Sequence, residues 1–162
     1  MDQVSIVEFR PEHAKELVRM WRGSFEFGVG VTDPHPLEEQ EQYLNAVVIP
    51  GNAIRVALCD GHMAGFVAAS AFSVSQLYVR TGLHRRGIGS RLLEWAKEQS
   101  CGSLWLYTFA QNAGARAFYE RHGFKIVARG FEPNWKLEDL RYEWVSQEMS
   151  IGQRAFRPGE SA

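Results

Sequence analysis

The stretch LYVRTGLHRRGIGSRLLEWA, residues 77–96, decides how this chain is read. An apolar run ends in the basic residues His84, Arg85 and Arg86, and Gly87 and Gly89 then flank Ile88. Beyond them Ile88, Leu92, Trp95 and Ala96 recur at helical spacing, with Arg91, Glu94 and Glu98 opposite. The pattern is a strand turning tightly into a helix. The first amides of such a helix have no partners within it, and together with the helix dipole they suit a phosphate. Gly87 and Gly89 remove the Cβ atoms that would hold an anion away, the basic residues add charge, and Ser90 adds a donor. The G-K-[ST] ending of a Walker loop is missing, and no third glycine follows at the spacing of a dinucleotide-binding fingerprint. By itself, a short glycine pattern fits a solvated connection equally well.

Upstream, residues 4–9 read as a strand, and Pro11 sits where a first helical turn tolerates it. Ala14, Leu17, Val18, Met20 and Trp21 predict a helix reaching about residue 26. Two glycines and two prolines predict a loop over 27–36, followed by a helix over 37–47. Asp60-Gly61 between apolar runs predicts a hairpin, and 74–80 is the strand that enters the junction. Downstream, SLWLYTF (103–109) is apolar on both faces and predicts a central strand covered on each side. A helix begins at Asn112 and stops at His122-Gly123, and two final strands form an antiparallel pair. The order β-α-α-β-β-β-α-β-α-β-β implies one α/β domain over 1–146, with a mixed sheet. Residues 147–162 lack periodicity and are expected as a mobile tail.

The stretch QNAGARAFYERHGF, residues 111–124, is the second informative one. Asn112 and Tyr119 lie close to two helical turns apart and share a face, with Ala115 between them leaving room for a ligand chain. Taken singly, Asn112 fits a helix N-cap and Tyr119 an aromatic at the edge of the core. Together, LYV, HRRGIG opening a helix, a strand, and then N-x-x-A-x-x-F-Y-E-R-x-G-F resemble the GNAT superfamily of N-acetyltransferases. The resemblance is close over 76–124.

That resemblance implies a single-domain fold with a mixed, mostly antiparallel central sheet flanked by about four helices. It also implies acetyl-CoA as cosubstrate. The family's Arg/Gln-x-x-Gly-x-Gly/Ala motif, which binds the CoA pyrophosphate, falls on His84, Arg85, Arg86, Gly87, Ile88 and Gly89, with His84 departing from the usual first residue. The backbone at Tyr78 and Val79 would hold pantetheine, the Val79 N–H would meet the thioester oxygen, and Asn112 would touch the arm. The reaction expected is direct attack of a primary amine through a tetrahedral intermediate. Tyr119 would be the general acid for the sulfur, because a phenol with a reference pKa near 10 is protonated at neutral pH. Glu26, Asp33 and His35 are the candidate bases, Glu26 also as a carboxylate that could hold a cationic amine; the alternative is that all three are surface residues and water carries the proton away.

The acceptor falls to the loop 27–36 and to 130–144, where Phe27, Phe131, Trp135, Tyr142 and Trp144 accompany Glu132, Glu138 and Asp139. Aromatics with carboxylates suit a cationic amine, though the same aromatics also fit sheet packing or a homodimer interface. Two other functions remain open: an acyl-CoA sensor without turnover, and a toxin-like acetyltransferase acting on aminoacyl-tRNA. Eighteen Lys and Arg against 19 Asp and Glu leave no basic excess for a nucleic acid. Hydrophobic residues at 45% of 162 rule out a disordered chain and allow one substantial core. Five scattered histidines and two isolated cysteines, Cys59 and Cys101, give no metal spacing and no redox pair. Without a secretory leader or an apolar run long enough to span a bilayer, the expected location is cytoplasmic.

Overall fold

The computed structural model describes residues 3–150. β1 (Val4–Glu8), β2 (Ala53–Cys59), β3 (His62–Ala69) and β4 (Val74–Val79) form one sheet in that order, each pair antiparallel. The β2–β3 turn is the expected hairpin: Asp60 and Gly61 have φ of 51° and 81°, as a two-residue turn matching the strand twist requires. β5 (Ser103–Phe109), β6 (Lys125–Glu132) and β7 (Leu137–Val145) form a second antiparallel sheet in the order β5-β7-β6. Among the described residues, one parallel bridge, Ser73 to Trp105, joins the two sheets. The mixed, mostly antiparallel character holds, but the sheet is split between β4 and β5.

α1 (Ala14–Val29) and α2 (Leu37–Tyr43) cover one face of the first sheet. Leu17, Val18, Trp21 and Leu44 pack there against Val56, Met63 and Phe66. α4 (Ile88–Gln99) and α5 (Ala113–Arg121) cover the other side, where Ile88, Leu92, Leu93 and Tyr119 meet Val67, Leu104, Leu106 and Tyr142. β3 is therefore enclosed on both faces, and all but its first residue are buried, which accounts for the unbroken apolar run MAGFVAA.

Four expectations need correction. β5 is covered on one face only: Leu104 and Leu106 are buried while Trp105 and Tyr107 are 36% and 57% exposed. Aromatic residues on its second face mimicked a core strand; Arg141 lies over Trp105, 4.9 Å from the ring centroid, and shields part of it. α1 continues through Phe27, Gly28 and Val29 and ends at Gly30, whose φ of 79° and N–H bond to the Glu26 carbonyl close the helix. Gly28 instead marks a close approach, because a Cβ there would lie 3.0 Å from the Asn112 amide. The second helix runs on through a π turn (Leu44–Val48) into α3 (Ile49–Gly51), and the α-helices number five among the described residues. Pro50 lacks an N–H and its ring crowds the carbonyl four residues back, which widens the turn before it. Finally, 147–150 form a helical turn, with Ser150 N–H on the Ser146 carbonyl and Met149 against Gly102. The rest of the expected tail, 151–162, lies outside the described residues.

Gly65 of β3 sets the closeness of the β3–β4–α4 packing. A Cβ there would fall 2.8 Å from the Tyr78 carbonyl oxygen and 3.3 Å from Leu92 Cδ1. A ladder carbonyl cannot step aside, so Gly65→Ala is expected to destabilise the fold by about 1–3 kcal/mol, read as a lower urea midpoint at unchanged m-value.

Candidate active site

Where the two sheets part, they leave a cavity of about 970 Å³. Its walls are Gln76, Leu77 and Tyr78 of β4, Leu106, Tyr107 and Phe109 of β5, Asn112, Ala115 and Tyr119 from α5, and Trp21, Arg22 and Phe25 from α1. The strand geometry sets which β4 groups face away from the ladder. The Arg80 N–H bonds to the Ala64 carbonyl, which fixes the alternation along the β3–β4 ladder. Ladder groups at 76 and 78 then face β3, while those of Leu77 and Val79 face outward. The Val79 carbonyl accepts from the buried Ser24 hydroxyl at 2.7 Å, as this alternation requires, leaving its N–H on the same side. Of the pair Tyr78 and Val79, therefore, Val79 offers its backbone and Tyr78 its side chain.

The junction after β4 is a concave amide surface. Arg85 has φ of 65° and Gly87 of 78°, with Arg86 between them at negative φ. Alternation of that kind turns successive N–H groups inward as an anion nest. A left-handed arginine costs on the order of 1 kcal/mol, and backbone strain of this kind points to a function. The nest opens directly onto the first turn of α4, where Gly87 is the N-cap and its carbonyl accepts from the Arg91 N–H. The two glycines have different reasons. A Cβ at Gly87 would meet nothing within 4 Å, whereas one at Gly89 would press on Phe118 at 3.2 Å, so Gly89 serves the α4–α5 contact. The Ser90 hydroxyl lies 3.0 Å from His122 Nε2. Burial, with Lys97 and Arg121 nearby, holds that imidazole below its ordinary pKa. His84 stacks with Phe27 from α1, with ring centroids 6.4 Å apart.

Asn112, Ala115 and Tyr119 all line the cavity, as their shared face requires. Asn112 is also the N-cap of α5, its Oδ1 accepting from the Ala115 N–H at 3.1 Å. Tyr119 is 7% exposed and rests against Phe118, Phe124 and Tyr142. Burial, and then the neighbouring Tyr78, raise its phenol well above the ordinary value. Tyr78 lies between Phe66 and Trp21, and burial pushes it up to about 12 against the opposing effect of a hydrogen bond with Trp21. Both phenols are neutral at physiological pH.

Of the acceptor-side candidates, Asp33, His35, Glu132, Trp135 and Asp139 line the cavity, and Glu26 is not among its lining residues. Phe131 is exposed, Glu138 pairs with Arg129, Tyr142 is fully buried and Trp144 packs on Phe124 and Lys97. Sequence reasoning missed Arg22, Phe25, Tyr107 and the side chain of Tyr78. Arg22 follows Trp21 on the helix and reads as solvated, but its Nε lies 3.4 Å from Asp33 Oδ2 and donates to Gln40 Oε1 at 2.9 Å. Among the described residues there is no group of three or more His, Cys, Asp or Glu able to hold a metal ion, and no helix is long and apolar enough to cross a membrane.

Burial tends to raise the Asp33 carboxyl, but the His35 N–H, the His35 ring and Arg22 outweigh it and hold the group below its ordinary value of 3.8. Stability from this carboxylate is thus fully present above pH 3.8 and is lost as pH falls through the lower folded value. Asp33→Asn should be less stable than the parent at neutral pH, with the gap closing below about pH 3.8, as thermal melts across pH would show.

The sequence model described as the acetyltransferase (GNAT) family matches residues 14–124. The chain is 28% identical over 133 residues to a probable N-acetyltransferase, Rv2775, of Mycobacterium tuberculosis, covering 72% of this chain and 74% of that one. Its fold is similar to that of the PaiA N-acetyltransferase of Thermoplasma acidophilum solved in complex with coenzyme A, at a TM-score of 0.71 and 18% identity over 88% of this chain and 99% of that one. It is likewise similar to YncA of Salmonella typhimurium, solved with its cofactor acetyl-CoA, at a TM-score of 0.67 and 14% identity over 90% and 95% of the two chains.

Proposed function

The chain belongs to the acetyltransferase (GNAT) family, and on that premise we propose that it moves an acetyl group from acetyl-CoA to a primary amine inside the cleft between β4 and β5. The observation that carries the reading is a coincidence of three features on one path. An anion nest at 85–87 leads to an edge at Leu77 and Val79 that pairs with no neighbouring strand, and a buried phenol stands in the same cleft. These residues fit an acyl-CoA: the nest suits a diphosphate, and an edge offering N–H groups suits an arm that carries amides. Acetyl-CoA when bound supplies a thioester, an acyl carbon activated toward an amine.

Each residue then has a part. Amides around Gly87, with Arg85 and Arg86 beside them, hold the diphosphate, and the Ser90 hydroxyl completes the first turn. Leu77 and Val79 orient the arm by strand-like pairing, and Asn112 and Ala115 bound it on the opposite wall. The Val79 N–H, fixed in direction by the ladder, donates to the carbonyl oxygen as negative charge develops there. Tyr119 donates its phenolic proton to the departing sulfur. Its raised pKa suits the donor role, since the phenol stays protonated in the range where an ordinary tyrosine ionises. Four carboxylates, Asp33, Glu39, Glu132 and Asp139, against the single guanidinium of Arg22 favour a cationic acceptor among the aromatic rings of Trp21, Phe25 and Trp135.

Tyr119→Phe is expected to lower kcat about 10²-fold while acetyl-CoA affinity stays within twofold, measured by thiol release and by titration calorimetry. In the parent, the rate should show no decline from Tyr119 ionisation up to pH 10. A full turnover rate in Tyr119→Phe would remove the acid role. Heat of acetyl-CoA binding without thiol release toward any amine would favour a sensor, and no heat at all would end the reading.

A further inference from the structure

We propose that Asp33 and His35 form the proton-accepting dyad of this cleft, with His35 Nε2 as the base toward the acceptor amine and Asp33 as the residue that positions the ring. The proposal rests on the acetyl-transfer reading and adds the half of the reaction that reading leaves without a base.

The arrangement begins where α1 ends. Gly30 reverses the chain, and the short return to α2 is stapled by one carboxylate. Asp33 Oδ1 accepts from the His35 N–H at 2.9 Å and lies 2.7 Å from His35 Nδ1. Asp33 Oδ2 lies 3.4 Å from Arg22 Nε, and Gln40 of α2 anchors that guanidinium in turn. The carboxylate is thus fixed from its own loop and from α1. An anionic acceptor at Nδ1 requires the proton to be on Nδ1, which leaves Nε2 with a free lone pair. Exposure separates the two roles. The Asp33 side chain is 13% exposed and that of His35 60%, so the orienting charge is shielded while the imidazole meets both cleft and water. Trp135, from the β6–β7 turn, stands edge-on to the ring at 6.3 Å and restricts its swing.

The other charged groups on the cavity wall are less suited to the task. Glu132 is occupied in holding the β6–β7 turn, its two oxygens accepting from Asn134 Nδ2 at 2.9 Å and the Trp135 N–H at 2.6 Å. Arg22 of α1 carries no acceptor lone pair. Glu39 of α2 and Asp139 of β7 line the cavity without an orienting partner of the kind His35 has. Among the described residues these four are the charged groups that line the cavity beside the dyad.

The protons balance. The acceptor nitrogen enters as an ammonium and leaves as an amide N–H, so it gives up two. His35 Nε2 takes the first and passes it to water at the cleft mouth. A C–N bond forms and the C–S bond breaks, Tyr119 protonates the sulfur, and the nitrogen's second proton restores the Tyr119 phenol. Acid and base are thereby two different residues, one on α5 and one on the loop after α1.

The test is the pH dependence of kcat/KM, followed by thiol release from acetyl-CoA. The parent, His35→Gln and Asp33→Asn are compared with spermidine, tryptamine, an alanine-initiated tripeptide and Nα-acetyl-lysine amide as acceptors. His35→Gln is expected to lose about 10²-fold in kcat/KM near neutral pH, and with it the acid limb of the profile. Asp33→Asn should lose roughly tenfold in kcat with the KM for the amine within twofold, since the ring then has no anion to hold its Nδ1 proton. Acetyl-CoA affinity by calorimetry should be unchanged in both. Parental kcat/KM with an intact limb in His35→Gln would overturn the dyad alone. A more than tenfold loss of acetyl-CoA affinity in His35→Gln would also overturn it, by assigning the residue to the donor side. A parent that releases no thiol with any of these amines would overturn the transferase reading and the dyad with it.

Discussion

The cavity of this molecule follows from the parting of β4 and β5. The two strands touch at Ser73 and Trp105, where the Trp105 N–H bonds to the Phe72 carbonyl, and then diverge. A sheet that stops pairing in its middle leaves an edge of unsatisfied backbone groups inside the protein, a costly arrangement unless something occupies it. The rest of the fold holds that gap open. β3, buried on both faces, gives β4 a rigid partner, and the close approach at Gly65 allows it little freedom to shift. On the far side β7, not β6, pairs with β5, so the second sheet is braced from behind rather than pulled toward the first.

The two ends of the cleft use electrostatics in opposite ways. At the junction, left-handed backbone at Arg85 and Gly87 aims amides at an anion, with arginines beside it. At the acceptor end, carboxylates from α2, β6, β7 and the loop after α1 outnumber Arg22. Between them sits an apolar stretch in which Tyr78 and Tyr119 are kept neutral by burial. On the proposed reading the potential runs from positive to negative along the path, an order that suits a negatively charged donor and a positively charged acceptor.

How much of this was legible in the sequence depended on how local the cause was. The Asp60-Gly61 turn, the junction at 84–89 and the shared face of Asn112 and Tyr119 are set by residues a few positions apart, and each formed where expected. The end of α1 was misplaced because two glycines competed to be its terminator. Gly28 is small for the sake of Asn112, a neighbour far away in sequence, and only Gly30 is left-handed. β5 misled because period-two reading cannot tell an aromatic facing a cleft from one facing a core, and Tyr107 does the former. Arg22 meets Asp33 and Gln40 only after α1, the loop behind it and α2 have folded, so nothing in its spacing announced it. The strained φ at Arg85 left no mark either, because arginine is not a residue that signals left-handed backbone.

The bond from Ser24 to the Val79 carbonyl has a consequence beyond catalysis. An open strand edge inside a cleft of this size invites a strand from another molecule, and such invitations end in aggregates. Ser24 occupies an acceptor that an intruding strand would need, and α1 lies across the approach. Past the single bridge at Ser73 the two strands no longer pair with each other. Colloidal safety is thereby built into the same geometry that makes the edge useful. A thin, flexible arm with widely spaced amides can enter where a polypeptide strand cannot.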